Sequence, residues 1–189
     1  MNLIELDHII FYNINGLAGK YPTLDYFGIF FAKYLIWLMV FIILVWWFSL
    51  QRTRPSGNWP YEGKKKWLIF GQILVGVGLV VLINQLLSLI HFRERPFINL
   101  DVLNLLGIPL SQKSFPSDHA AISFAMALAI IFYNKKLGWF LLVSAILVSF
   151  GRIFVGVHYP LDVLGGFVIA ALTILFINWL MHKYYFKNL

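Results

Sequence analysis

Residues 25–49 read DYFGIFFAKYLIWLMVFIILVWWFS. Asp25 and Lys33 are its only charges, and from Leu35 to Ser49 there is none. A helix crossing the hydrocarbon core of a bilayer takes roughly 20 predominantly apolar residues, so this stretch predicts a transmembrane span. Similar runs follow at about 67–91, 117–133, 137–156 and 159–182. The expected fold is therefore all-α: a polytopic helix bundle of about five spans in a single membrane domain, 1–189.

Composition agrees. The 189-residue chain is 60% hydrophobic and 12% charged, with mean hydropathy +0.79, whereas a soluble domain is nearer half apolar and a quarter charged. It has no cysteine, which excludes a disulfide framework and thiolate metal ligation. Glu5 and Asp7 stand where a cleavable leader carries basic residues, so no leader is expected. Residues 2–19 alternate Leu3, Ile4, Leu6, Ile9, Ile10 and Phe11 with Glu5, Asp7, Asn13 and Asn15. They predict an amphipathic helix lying in the interface, or else a loosely packed extra element, ending before Pro22.

Polar connections divide between two sides. The segment 50–66, the turn Asn134-Lys135-Lys136 and the C-terminal tail share one side, with Arg52, Arg54, Lys64, Lys65, Lys66, Lys135, Lys136, Lys183 and Lys187 against Glu62 as the sole carboxylate. Cationic loops stay cytoplasmic, which places 92–116 and the 151–158 junction outside. The net charge of +7, gathered at span ends, points to anionic lipid headgroups as partners and away from nucleic acid.

Three polar clusters end on that outer side: Arg93-Glu94-Arg95-Pro96, Phe115-Pro116-Ser117-Asp118-His119, and Gly151-Arg152 followed by His158 and Asp162. Ionisable residues gathered at a membrane boundary are a site by default. His158 and Asp162 are one helical turn apart. The carboxylate can accept from one imidazole nitrogen and leave the other as nucleophile or base. Gly156 lets the chain bend back so that the forked donors of Arg152 can meet phosphoryl oxygens. Ser117 is a plausible N-cap, and the start of its helix is suited to an anion. His119 in the first turn can protonate a leaving group, and Arg95 adds a second fork.

Simpler roles suit other groups. His8, His91 and His182 read as packed or interfacial, and Lys20, Lys33, Arg93 and Lys113 as headgroup anchors. Asn84 and Gln85 read as interhelical glue. Gly76-Val77-Gly78 and Gly165-Gly166 read as close helix packing.

In these blocks, spread over 84–166, the chain resembles the type-2 phosphatidic acid phosphatase superfamily of membrane lipid phosphatases. That family's signature runs Lys, six residues, Arg-Pro; then Pro-Ser-Gly-His; then Ser-Arg, five residues, His, three residues, Asp. Arg95-Pro96, Pro116-Ser117-x-His119, Arg152, His158 and Asp162 match it. The resemblance implies that His158 forms a phosphohistidine with Asp162 orienting it. It implies His119 as general acid, Arg95, Ser117 and Arg152 as phosphate cradle, and neither metal nor other cofactor. Ser88 stands where the family has its first Lys, Asp118 replaces its Gly, and Gly151 its Ser. Asp118 and Arg93 are counted with the phosphate-binding set, and Arg93 or Lys113 is the candidate to replace the missing Lys. The strings FPSDH and HYPLDVLG look like bacterial undecaprenyl-diphosphate phosphatases of the bacitracin-resistance type, enzymes that return the cell-wall carrier lipid to use. A phosphatidylglycerophosphate or phosphatidate phosphatase, a lipid phosphotransferase, or more remotely a transporter stand as alternatives.

Overall fold

The computed structural model describes residues 2–52, 64–109 and 113–186. Arg54, Pro55, Gly57, Pro60 and Glu62 of the first polar connection, residues 110–112 and Lys187 lie outside the described residues. Helix α1 (Leu3–Asn15) is followed by α2 (Pro22–Ile29), which passes through a π-helical turn, Phe30–Tyr34, into α3 (Leu35–Arg52). Then come α4 (Lys64–Ile90), the short α5 (Pro96–Asn99), α6 (Asp118–Ile131), α7 (Lys135–Phe154) and α8 (Pro160–Met181). Among the described residues there is no strand.

Among the described residues, four stretches are long and apolar enough to cross a bilayer: Pro22–Leu50, Trp67–Ile90, Lys135–Phe154 and Pro160–Tyr184. The fifth expected span, α6, is a shorter apolar helix of 14 residues, about 21 Å long. It runs through the centre of the bundle from the site end to the Asn134 turn, packed against α4, α7 and α8. Ala120, Ala121, Ala125, Ala127 and Ala129 are fully buried there, together with Ile130. Small side chains let the surrounding helices approach closely, as packing inside a membrane demands. Trp37, Phe41, Val75, Leu172 and Phe176 face outward, a surface that suits lipid rather than water.

The glycine pairs divide. A Cβ on Gly166 would meet the Ser117 carbonyl at 2.8 Å, and one on Gly165 would meet Phe115 at 2.5 Å. Gly76 lies against Ile174 at 2.6 Å, but Gly78 faces open space, so only half of that pair serves packing.

Helix α1 departs from the amphipathic reading. Its buried residues are Asp7, Phe11 and Asn15, spaced four apart on one stripe, whereas Leu3, Ile4 and Ile9 are exposed. Two of the four polar residues expected to face water, Asp7 and Asn15, dock the helix onto α7 and α8, while Glu5 and Asn13 stay exposed. Asn15 donates to the carbonyls of Phe154, at 2.8 Å, and Leu103, at 3.1 Å. A buried amide is tolerated when its hydrogen bonds are made, and these tie α1 to the end of α7 and to the segment around Leu103. Gly156 turns the chain there at φ +82°, where a Cβ would collide with the Leu103 carbonyl oxygen.

Candidate active site

Helix α4 ends, α6 begins, α7 ends and α8 begins at one end of the bundle, and the three polar clusters meet there. Between them lies a cavity of about 330 Å³ lined by Lys33, Arg95, Lys113, Asp118, His119, Arg152 and His158, with Leu106, Ile108 and Pro109 as its apolar wall.

His158 sits in the turn between α7 and α8 and is buried. Its Nδ1 stands 3.7 Å from Asp162 Oδ2, an ion-pair separation longer than a hydrogen bond. With Nδ1 turned to Asp162, Nε2 lies on the ring's opposite edge. Burial lowers the imidazole from 6.5 to about 4; Asp162 opposes the shift, while Arg152 and Arg95 add to it. The ring is therefore neutral at pH 7, the form in which an imidazole nitrogen is nucleophilic.

Asp162 is fully buried and gathers several donors. Oδ2 accepts from Ser114 Oγ at 2.5 Å and from the backbone N–H of Tyr159 at 2.8 Å. Oδ1 accepts from Arg93 Nη1 at 2.8 Å. The backbone carbonyl of Asp162 takes the Ser117 N–H at 3.0 Å, which ties the start of α8 to the start of α6.

Both guanidiniums of the cavity are anchored through Nη1. Arg95 Nη1 donates to the Val157 carbonyl at 3.0 Å, and Arg152 Nη1 to the Ala32 carbonyl at 3.2 Å. The second bond depends on the π-helical turn, where the i→i+5 pattern interrupts the ordinary carbonyl ladder. Gly151 allows it, since its Cα packs directly on the Ala32 backbone. Arg152 Nε and Ser117 Oγ are buried and have no hydrogen-bond partner among the described residues. Buried donors left open beside a cavity are available to an anion. Burial pulls the Arg95 guanidinium below its ordinary value, with Asp162 and Asp118 acting against the shift.

Ser117 occupies the N-cap position of α6 but makes no side-chain cap bond. Its carbonyl accepts from Ala121 N–H at 3.0 Å, and the hydroxyl expected to cap is the open one. Asp118 lines the cavity and is held by Asn84 Nδ2 at 3.0 Å and Lys113 Nζ at 3.4 Å. Asn84 thus fastens α4 to the site rather than merely to another helix.

Arg93 is not among the cavity's residues. One arm is on Asp162 and the other on Asp7 Oδ2, at 2.6 Å, and its guanidinium lies 3.9 Å from the centre of the Tyr159 ring. Although burial acts to lower it, Asp162 and Asp7 raise the guanidinium above its ordinary value. Two buried carboxylates hold it where a phosphate contact was expected. Lys33 moves the other way. Expected to be a headgroup anchor, it lines the cavity from the π-helical turn. A charge within a span was the available signal, but its distance in sequence from the motifs concealed it. Ser114 and Asp7 carried no such signal, because their partners come from segments 48 and more residues away.

A family model described as the PAP2 superfamily matches residues 70–186. The chain belongs to the PAP2 superfamily. The PAP2 match spans all three blocks, and the PAP2 architecture recurs in relatives over most of the chain. It is 36% identical over 167 residues to the undecaprenyl-diphosphatase BcrC of Bacillus subtilis, covering 87% of this chain and 79% of that one. It is 32% identical to a Bacillus licheniformis protein named bacitracin transport permease protein BcrC, covering 97% of this chain and 84% of that one. The crystal structure of LpxE from Aquifex aeolicus superposes with a TM-score of 0.72 at 26% identity, over 91% of this chain and 94% of that one. In this PAP2 chain the first-block Lys is Ser88, whose hydroxyl donates to the Gln85 carbonyl at 2.6 Å. Both line a neighbouring cleft of about 400 Å³ that shares Arg95, Lys113 and Asp118 with the cavity.

Proposed function

We propose that this membrane protein is a lipid phosphatase that hydrolyses a polyprenyl diphosphate of the undecaprenyl class on the outer face of the membrane. The observation that carries the reading is the cavity shared, among the described residues, by His158, His119 and four cations, Lys33, Arg95, Lys113 and Arg152, against one carboxylate, Asp118. Such a cavity suits a substrate with more negative charge than a monophosphate. The adjoining cleft beside Ser88, reached past Arg95 and Lys113, offers room for a second phosphate. The identity to a relative named undecaprenyl-diphosphatase supports the same choice.

Catalysis follows from the placement. Burial and the neighbouring Arg152 lower the His119 imidazole to about 3 in the empty cavity, so it takes up its proton as the anionic substrate enters and offsets those cations. His158 Nε2 then attacks the terminal phosphorus, the bridging P–O bond breaks, and the protonated His119 gives its proton to the departing lipid phosphate oxygen. Arg95, Arg152 and Ser117 hold the three equatorial oxygens as charge develops on them, an electrostatic role that is commonly the largest in phosphoryl transfer. Water then attacks the phosphohistidine with His119 taking its proton, so that inorganic phosphate leaves and both histidines return to their starting states.

A transporter reading fares worse. Lys33 apart, the charges of the described helices from α3 onward sit in their terminal turns, and one cation within a span is not the chain of ionisable groups through the membrane's depth that a transport relay requires.

Purified protein is expected to release phosphate faster from a polyprenyl diphosphate than from phosphatidate or phosphatidylglycerophosphate. Faster release from either monophosphate would sink the substrate assignment and leave the phosphatase. For orientation, a Cys replacing Leu103 should react with an impermeant thiol reagent outside intact cells, and a Cys replacing Lys136 should not. The reverse pattern would turn the site to the cytoplasm.

A further inference from the structure

Asp7 is a buried carboxylate that the phosphoryl-transfer scheme does not use. Its side chain is fully buried, and an ionised carboxylate is retained in such a place only when paired. Oδ2 accepts from Arg93 Nη2 at 2.6 Å, and Oδ1 accepts from the backbone N–H of Leu161 at 2.8 Å. Leu161 lies in the first turn of α8, where backbone N–H groups have no partner within their own helix. Asp7 therefore caps α8 from another helix, one residue from Asp162. The second arm of Arg93 lies on Asp162 Oδ1 at 2.8 Å, so a single planar fork spans two carboxylates from opposite ends of the chain. Its two arms can do this together because a guanidinium presents parallel donors, which an ammonium does not.

We infer that Asp7 is a positioning residue for the candidate nucleophile, acting through Arg93 on Asp162. The inference rests on the phosphohistidine reading above. Asp7, Arg93 and Asp162 together carry one net negative charge beside His158. When His158 Nε2 bonds to phosphorus, its ring becomes an imidazolium, and that net charge is its counterion in a site with little water to screen it. With Asp7 neutral, Arg93 cancels Asp162, and the imidazolium forms beside no net charge. The bound substrate is unaffected, because neither Asp7 nor Arg93 lines the cavity.

The test uses full-length protein in detergent, with phosphate release from a polyprenyl diphosphate as readout. Asp7→Asn keeps an oxygen for the Leu161 N–H and removes the charge. Its kcat is expected to fall about 10–100-fold, the range seen when an outer partner of a catalytic group is lost, with KM within about threefold. Asp7→Asn combined with Arg93→Gln restores one net negative charge and is expected to recover kcat at least about fivefold over Asp7→Asn alone. Recovery on removing a second partner is not what a purely structural role produces. Should Asp7→Asn fail to fold, Asp7→Ser carries the test, since it also keeps an oxygen for the Leu161 N–H and removes the charge; the same kcat loss at unchanged KM is expected. A folded Asp7→Asn with unchanged kcat, a loss confined to KM, or a double variant no better than the single one overturns the inference. Wild type and His158→Ala run alongside. An inactive wild type, or an active His158→Ala, sinks the phosphohistidine reading itself. Active wild type, inactive His158→Ala and indifferent Asp7→Asn sink this inference alone.

Discussion

His158 Nδ1 and Asp162 Oδ2 stand 3.7 Å apart, one helical turn apart in the chain, while Ser114 and Tyr159 already donate to that same oxygen at 2.5 and 2.8 Å. Catalytic hydrogen bonds are often long before substrate arrives. On the proposed phosphohistidine route, positive charge on the ring would draw the Nδ1–H toward Oδ2. His158→Ala is expected to abolish turnover in a protein that remains folded. Asp162→Asn presents an amide to the same donors and cannot balance an imidazolium; a loss approaching about 10⁴-fold in kcat is expected, by analogy with Ser-His-Asp enzymes. Retention of more than a few per cent of activity by His158→Ala would refute the covalent route.

The buried imidazole also sets a pH dependence of stability. In the unfolded chain a histidine titrates near 6.5, and burial lowers His158 to about 4 in the fold. The unfolded state therefore takes up the proton first as pH falls. The stability tied to the neutral ring is complete above pH 6.5 and is lost progressively toward pH 4. Wild type should lose Tm relative to His158→Asn across that window in detergent. A constant Tm difference from pH 7 to pH 4 would show that the ring titrates alike in both states.

Lys33 and Lys113 are cavity cations from outside the motif blocks, and Lys33 comes from a distant span. If it faces the second phosphate, Lys33→Gln should lower kcat/KM on the diphosphate by about 10-fold or more, the scale of a charge-assisted bond. The loss on a monophosphate lipid should be much smaller. Equal losses on both substrates would place Lys33 on the transferred phosphoryl group instead.

His119 can be tested by its leaving group. A phosphomonoester expels an alkoxide, which requires a proton, whereas a diphosphate expels a far less basic lipid phosphate. General acid catalysis contributes about 10²–10⁴-fold and rises with leaving-group basicity. His119→Ala should therefore depress monophosphate hydrolysis much more than diphosphate hydrolysis. Matching fractional losses would leave His119 a phosphate ligand rather than a proton donor.

Gly151 stands where the family has Ser, and restoring that residue should be harmful here. A Cβ on Gly151 would lie 2.7 Å from the Ala32 backbone nitrogen, so α7 and the π-helical turn would have to separate. Overpacking of this kind costs about 1–3 kcal/mol, and separation would also pull Arg152 from the Ala32 carbonyl. Gly151→Ser should lower both Tm and kcat. An unchanged Tm would mean that the π-helical turn yields without loss.

Hydropathy alone was enough to read the helices, because a bilayer imposes the same length and polarity on every span whatever its neighbours are. The motif residues were legible for a related reason. Arg95, Ser117, His119, Arg152, His158 and Asp162 lie next to span ends, and topology brings span ends together. Tertiary structure decided the rest. The short α6 became the central packing element because its alanines let α4, α7 and α8 close around it. Arg93 left the expected phosphate set because Asp7, 86 residues away, claimed one arm of its guanidinium. Asp7 and Asn15 exchanged a watery face for a buried one because partners in α8, Arg93, Phe154 and Leu103 satisfied them. Lys33 entered the cavity because a π-helical turn packs against Gly151. Each of these depends on pairing between distant groups, and local sequence carries only one half of such a pair.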